Sequence, residues 1–205
     1  FKEDITRYNK PTPHFRPLAE ADTNRAIYAM LSDVHYGLTF SNRCGEYNSE
    51  IARKRLRKYV SKIIEVAKQQ NIDTCYLSLM GDMISGNIHT SIRIENRENL
   101  VEQVIGASEL VADFIAALAG YFRKVYVNSV PGNHSRVDIN ADDAMRKEKL
   151  DSLVPWYCKT KLEYYDNVVF EDTQIDDTIA QFCILGRNYI AIHGDYDKNL
   201  QKSAQ

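Results

Sequence analysis

Two hydrophobic spacings alternate along this chain. Short unbroken apolar runs occur at "AIYAMLS" (26–32), "TCYLSLM" (74–80) and "KVYVNSV" (124–130). Runs of this length, bounded by polar residues, predict buried strands. Between them the spacing changes to that of a helix. Over residues 48–70, Leu56, Tyr59, Val60, Ile63, Ile64 and Ala67 share one face, and Asn48 or Ser49 stands where a cap is needed. A second long helix carries Leu100, Val104, Ala107, Val111, Phe114, Leu118 and Phe122 on one side. A weaker helical segment runs from roughly Asp142 to Leu162. Three closely spaced runs follow, "NVVFE", "AQFCIL" and "NYIAIHG", and predict antiparallel hairpin pairing. The order β-α-β-α-β in the first half implies a parallel sheet with right-handed crossovers. The fold class is therefore α/β.

Each strand-like run ends in an unusual residue. Asp33 and His35 follow the first, Asp82 the second, Asn133 and His134 the third, and His193 the last. In extended chain, side chains at i and i+2 point the same way, so Asp33 and His35 project together. A hard carboxylate oxygen beside an imidazole nitrogen suits a divalent ion. One such pair is explained equally well by a turn Asp and a packed His. Four strands ending this way are not. Gly81 and Gly132 sit just before these side chains and suit tight turns at crowded strand ends. In open α/β sheets, ligands gather outside the carboxyl ends of the strands.

Composition narrows the setting. The 205 residues are 44% hydrophobic and 26% charged, which predicts a packed core. A net charge of -2 argues against general coating of nucleic acid but leaves room for a local basic groove. Arg53, Lys54, Arg55, Arg57 and Lys58 crowd one helical stretch. A solvated face explains them most simply, and a phosphate-backbone patch is the alternative. The cysteines, Cys44, Cys75, Cys158 and Cys183, form no C-x-x-C pair, which fits a reduced, cytoplasmic protein. No apolar run is long enough to span a membrane. Residues 1–24 hold Pro11, Pro13 and Pro17 and read as an extended arm or linker. The sequence begins with Phe, as expected of a piece of a longer protein.

The blocks "DVH", "GDMISG", "PGNH" and "IHGD" resemble, in order, those of the calcineurin-like metallophosphoesterase superfamily. The resemblance covers about residues 25–195 within a domain expected over 25–205. It implies an α/β sandwich of two mixed β-sheets flanked by helices. It also implies two divalent metal ions, manganese foremost, with Fe, Zn, Ni or Mg as alternatives. Carried over, Asp33 and His35 bind the first ion, Asp82 bridges both, and Asn133 and His193 bind the second. His134 binds no metal; it protonates the leaving oxygen while a hydroxide attacks phosphorus in line.

The function so implied is phosphate-ester hydrolysis by a nuclease-type phosphodiesterase, with DNA or RNA as substrate. The alternatives are a phosphomonoesterase, a protein phosphatase, a cyclic-nucleotide phosphodiesterase, or a scaffold that keeps the fold without activity. Two departures stand out. Ser135 follows the G-N-H block where many members have Asp or Glu, leaving Asp138 as a candidate to orient His134. The family's final G-H-x-H block is missing, so the domain is expected to be truncated at its C-terminus. Asn133, His89 and Arg93 are candidate contacts to substrate phosphate, although an ordinary loop also explains His89 and Arg93. Trp156 reads as core or helix-packing surface, and His14 receives no role.

Overall fold

The computed structural model describes residues 24–195 except 139, 141–144, 146–147, 173 and 177. The arm expected over 1–24 lies, apart from Asn24, outside the described residues, as does Asp142 at the start of the weaker helical segment.

Nine strands and four helices are described. The strands are β1 (Ile27–Leu31), β2 (Phe40–Asn42), β3 (Gly45–Tyr47), β4 (Thr74–Leu79), β5 (Lys124–Ser129), β6 (Val168–Phe170), β7 (Gln174–Asp176), β8 (Ile179–Ile184) and β9 (Arg187–Ile192). The helices are α1 (Ser49–Gln70), α2 (Thr90–Glu95), α3 (Leu100–Ala119) and α4 (Leu153–Lys161). A four-stranded sheet has the order β1-β4-β5-β6, and a three-stranded sheet the order β7-β8-β9. β2 and β3 form a separate hairpin.

The parallel register places the site. Leu31 pairs with Leu79, and Leu79 with Ser129, so β1, β4 and β5 finish level with one another. The loops that leave them begin at one edge. The loops after β1 and β4 then run side by side, with Asp33 N–H donating to Gly81 O at 3.1 Å and His35 N–H to Asp82 O at 2.9 Å.

Helices cover one face of the parallel sheet. α1 starts because the Asn48 side chain accepts the Ile51 N–H, and it stops at Asn71, whose φ of 53° leaves the helix. It buries Ala52, Leu56, Val60, Ile63 and Ala67. α3 opens with a reciprocal cap between Asn99 and Glu102 and contributes Val111, Ile115 and Leu118 to the core. Each such side chain, fully buried, contributes about 1.5–3 kcal/mol. The other face of the sheet meets the antiparallel sheet. Tyr28, Tyr76 and Met80 pack against Ala180, Phe182 and Ala191, with Tyr28 and Phe182 ring centroids 5.7 Å apart.

The structure corrects several expectations. β6 pairs with β5 in parallel and joins the first sheet, whereas hairpin pairing was expected for "NVVFE". Among the described residues, neither larger sheet is mixed: one is wholly parallel and the other wholly antiparallel. α2 occupies a stretch open to reading as a loop. In the weaker helical segment, a 3-10 turn over Leu150–Ser152 leads into α4. Trp156 is neither core nor packed surface; it is 64% exposed, beside a cavity of about 310 Å³ that Pro131, Asp151 and Lys159 also line. Lys54, Arg55, Arg57 and Lys58 are exposed, as a solvated face and a phosphate-backbone patch both require, while Arg53 is half-buried and donates to Tyr36 Oη at 3.2 Å. All four cysteines are free thiols. No described helix is long and apolar enough to cross a membrane.

Candidate metal centre

Three of the singled-out residues adopt a left-handed backbone. Asp33, His35 and Asp82 have φ of 54°, 45° and 54°. Side chains other than glycine's seldom accept this conformation, and it turns the chain sharply where the strands end. The loops after β4 and β5 then touch. A Cβ placed on Gly132 would lie 2.0 Å from Asp82 Oδ1, and one on Gly81 would lie 2.4 Å from the Gly132 nitrogen. Only glycines allow this approach.

Asp82 lies at the centre of the site. It is 3% exposed, and its two oxygens face different partners. Oδ1 accepts the His134 N–H at 2.9 Å, and Oδ2 lies 3.2 Å from His193 Nε2. Burial pushes its carboxyl up. Hydrogen bonds from His193 and the His134 amide outweigh that and hold it below the usual carboxylate range. His35, Asp82 and His134 each offer one ligand atom, all within 4.8 Å of one another. Asp33 stands at the rim with its side chain 59% exposed, its Oδ1 3.5 Å from His35 Nε2. Burial and the neighbouring His134 ring hold the His35 imidazole below its usual range.

His193 shows best what this donor set accepts. Its Nδ1 lies 2.7 Å from Met80 O, a carbonyl that can only accept, so Nδ1 carries the hydrogen. Nε2 then faces Asn133 Oδ1 at 3.1 Å and Asp82 Oδ2 at 3.2 Å. A nitrogen lone pair against two oxygens is repulsive unless a positive charge lies among them. A proton on Nε2 meets that need, and the hydrogen bond to Asp82 accordingly raises the imidazole pKa to about 9. A divalent cation meets the same need, so imidazole, carboxylate and amide oxygen together fit a metal.

His134 is oriented in the same way. Its Nδ1 lies 2.9 Å from Ser85 O, so Nδ1 carries the hydrogen and Nε2 is the nitrogen left for other partners. The orienting group is therefore a backbone carbonyl; Asp138, the candidate from sequence, is exposed. The structure also brings His134 into the 4.8 Å group with His35 and Asp82, whereas the sequence resemblance implied that it binds no metal. The His134 ring centroid is 4.6 Å from that of His35 and 5.1 Å from that of the exposed His89. Arg93 is exposed on α2, its N–H donating to His89 O at 2.9 Å.

Two residues at the site escaped sequence reasoning. Asp151, 3% exposed, accepts the Asp82 N–H at 2.7 Å and the Gly132 N–H at 3.0 Å on the same oxygen. Lys149, 4% exposed, donates to Gly132 O at 2.7 Å and to Asp195 Oδ2 at 3.1 Å. In sequence both belong to the charged run "MRKEKLD", which resembles any solvated surface. No protein-family model and no curated protein matches the chain.

Proposed function

We propose that the chain is a dimetal-dependent phosphoesterase, a phosphodiesterase of nuclease type, built on the α/β sandwich of the calcineurin-like superfamily. The observation that carries this reading is the convergence on Asp82. Its Oδ1 accepts the His134 amide and its Oδ2 faces His193 beside Asn133, while His35, with Asp33 next to it, offers a ligand atom within 4.8 Å of one from Asp82. One carboxylate so placed can serve two ions. Asp33, His35 and Asp82 would hold the first ion, and Asp82, Asn133 and His193 the second.

When bound, two divalent ions neutralise charge on the phosphate ester and act as Lewis acids towards its oxygens. The remaining chemistry belongs to the chain. Burial and the neighbouring His134 ring hold the His35 imidazole below its usual range, which favours the neutral form a ligand needs. The Met80 carbonyl fixes the His193 ring so that Nε2 faces inward. The Ser85 carbonyl holds His134 by Nδ1, and in the imidazolium form its Nε2–H donates its proton to the leaving oxygen. His89, beside His134, and Arg93, one turn further along the chain, are both exposed and would contact non-bridging phosphate oxygens. The nucleic-acid preference is supported by the exposed cations of α1 at Lys54, Arg55, Arg57 and Lys58.

Hydrolysis of bis(p-nitrophenyl) phosphate against p-nitrophenyl phosphate, with manganese added, tests the reading. Faster turnover of the diester supports a phosphodiesterase. The reverse preference indicates a monoesterase, and no turnover with any divalent metal overturns the enzyme. Asp82→Asn should weaken both metal sites together; calorimetry showing normal binding at two sites would refute the bridge.

A further inference from the structure

The candidate ligands lie beyond the ends of the strands that carry them. Asp82 follows β4, Asn133 and His134 follow β5, and His193 follows β9. No ladder of strand hydrogen bonds sets their spacing, so something else must hold three loops in one arrangement. From the geometry we infer that Lys149 and Asp151 form a positioning clamp that sets the spacing of the three ligand-bearing loops. The inference rests on the phosphoesterase reading and deepens it.

The clamp acts through one peptide segment. Asp151 Oδ2 accepts two amides at once, Asp82 N–H from the loop after β4 and Gly132 N–H from the loop after β5. A single oxygen therefore fixes how far apart those loops sit. Lys149 takes the opposite end of the same glycine, donating to its carbonyl. Its ammonium also reaches Asp195, which follows His193 closely, and so ties in the third loop. The segment is itself anchored: Leu150 N–H donates to Ser135 O at 2.8 Å, and Lys149 bridges Arg136. Like Asp82 itself, which bonds the His134 amide and His193, the buried side chains of this tripeptide reach all three loops, and they do so from outside the ligand set. Neither side chain ligates an ion in this scheme. Each acts on residues that do, as partners behind metal ligands do elsewhere.

The test uses the full chain and its Asp151→Ala, Asp151→Asn and Lys149→Met variants. The first measurement needs no metal. Hydrogen exchange at the Asp82 and Gly132 amides should be slow in the unsubstituted protein and fast in Asp151→Ala, with amides in the centre of α1 unchanged. The second is Mn²⁺ binding by calorimetry and by the Mn²⁺ resonance spectrum. Asp151→Ala should bind about 10–100-fold more weakly, the usual effect of losing a partner behind a ligand. Asp151→Asn, which keeps the shape and an acceptor oxygen, should recover most of that loss and remains readable if the alanine variant does not fold. Lys149→Met should weaken binding with Asp151 intact. Unchanged exchange in Asp151→Ala, or manganese binding in all three variants equal to the original, overturns the clamp. Failure of the unsubstituted protein to bind manganese overturns the phosphoesterase reading and the positioning role with it. Loss of amide protection with unaltered affinity also refutes positioning.

Discussion

Gly132→Ala offers the sharpest test of how the site is built. The added methyl would sit 2.0 Å from Asp82 Oδ1, 2.2 Å from Asp82 N and 2.7 Å from Asp82 Cγ. None of these atoms is the far end of a flexible chain. Two belong to a buried carboxylate held by hydrogen bonds, and one is backbone. The loops after β4 and β5 must move apart by more than an ångström to restore ordinary contact. Overpacking of this kind costs about 1–3 kcal/mol. The same movement lengthens the shared bonds to Asp151, and each buried group left unpaired costs about 1–3 kcal/mol more. With one such group unpaired the combined loss is about 2–6 kcal/mol, which lowers the melting temperature of a chain this size by roughly 4–24 °C.

Gly132 is not in the left-handed region, so backbone strain plays no part and the effect is one of contact alone. Gly120→Ala supplies the control. At the end of α3, with φ of -66°, its methyl meets only ordinary contacts at 3.5 Å or more. There the substitution should be neutral or stabilise by about 0.4–1 kcal/mol by restricting the unfolded chain. Urea unfolding of both variants, followed by manganese titration, checks the difference. Gly132→Ala within 1 kcal/mol of the original, with unchanged manganese affinity, would refute the close approach of the two loops.

Two further outcomes follow from named contacts. His134→Gln should leave metal content nearly intact and lower kcat by about 10²–10⁴ for esters with poor leaving groups; equal losses for p-nitrophenyl esters would deny it the role of acid. Glu109 links α3 to α4 by accepting from Lys161 and Tyr157. Burial pushes its carboxyl up, but those hydrogen bonds prevail and hold it below the usual range. A depressed carboxyl stabilises the fold above its unfolded pKa, and that stability fades as pH falls through the folded value. Glu109→Gln should therefore destabilise by about 1–2 kcal/mol at pH 7, with the difference shrinking below about pH 4.5. A gap that stays constant from pH 7 to pH 3 would count against the charge.

The long periodic segments were legible because their pattern reports burial directly. Leu56, Val60 and Ile63 recur at helical spacing and do line the core, and Asn48 caps its helix. Strand direction was legible where a helix intervened, since β1, β4 and β5 are joined by crossovers. It was not legible for Val168–Phe170, where three residues carry no usable period and the connection alone decides the pairing. The hairpin of β2 and β3 was missed for the same reason of length. At the site, the strand-end Asp and His residues were visible as polar breaks in apolar runs. Lys149 and Asp151 were not, because nothing local separates a buried charge from a solvated one. Their burial depends on two loops that lie elsewhere in the chain. The proximity of His89 to His134 is likewise tertiary.

The left-handed backbone at Asp33, His35 and Asp82 bears on how such a chain can change over time. Glycine adopts that conformation without penalty, whereas a side chain there costs about 1–2 kcal/mol, less for Asp. At these three positions the replacement that best relieves the backbone also erases the donor atom. Drift under selection for folding alone would therefore run towards glycine at the places where the proposed chemistry resides. A relative that had lost its activity should betray this first, with glycine at these strand ends and an otherwise intact core.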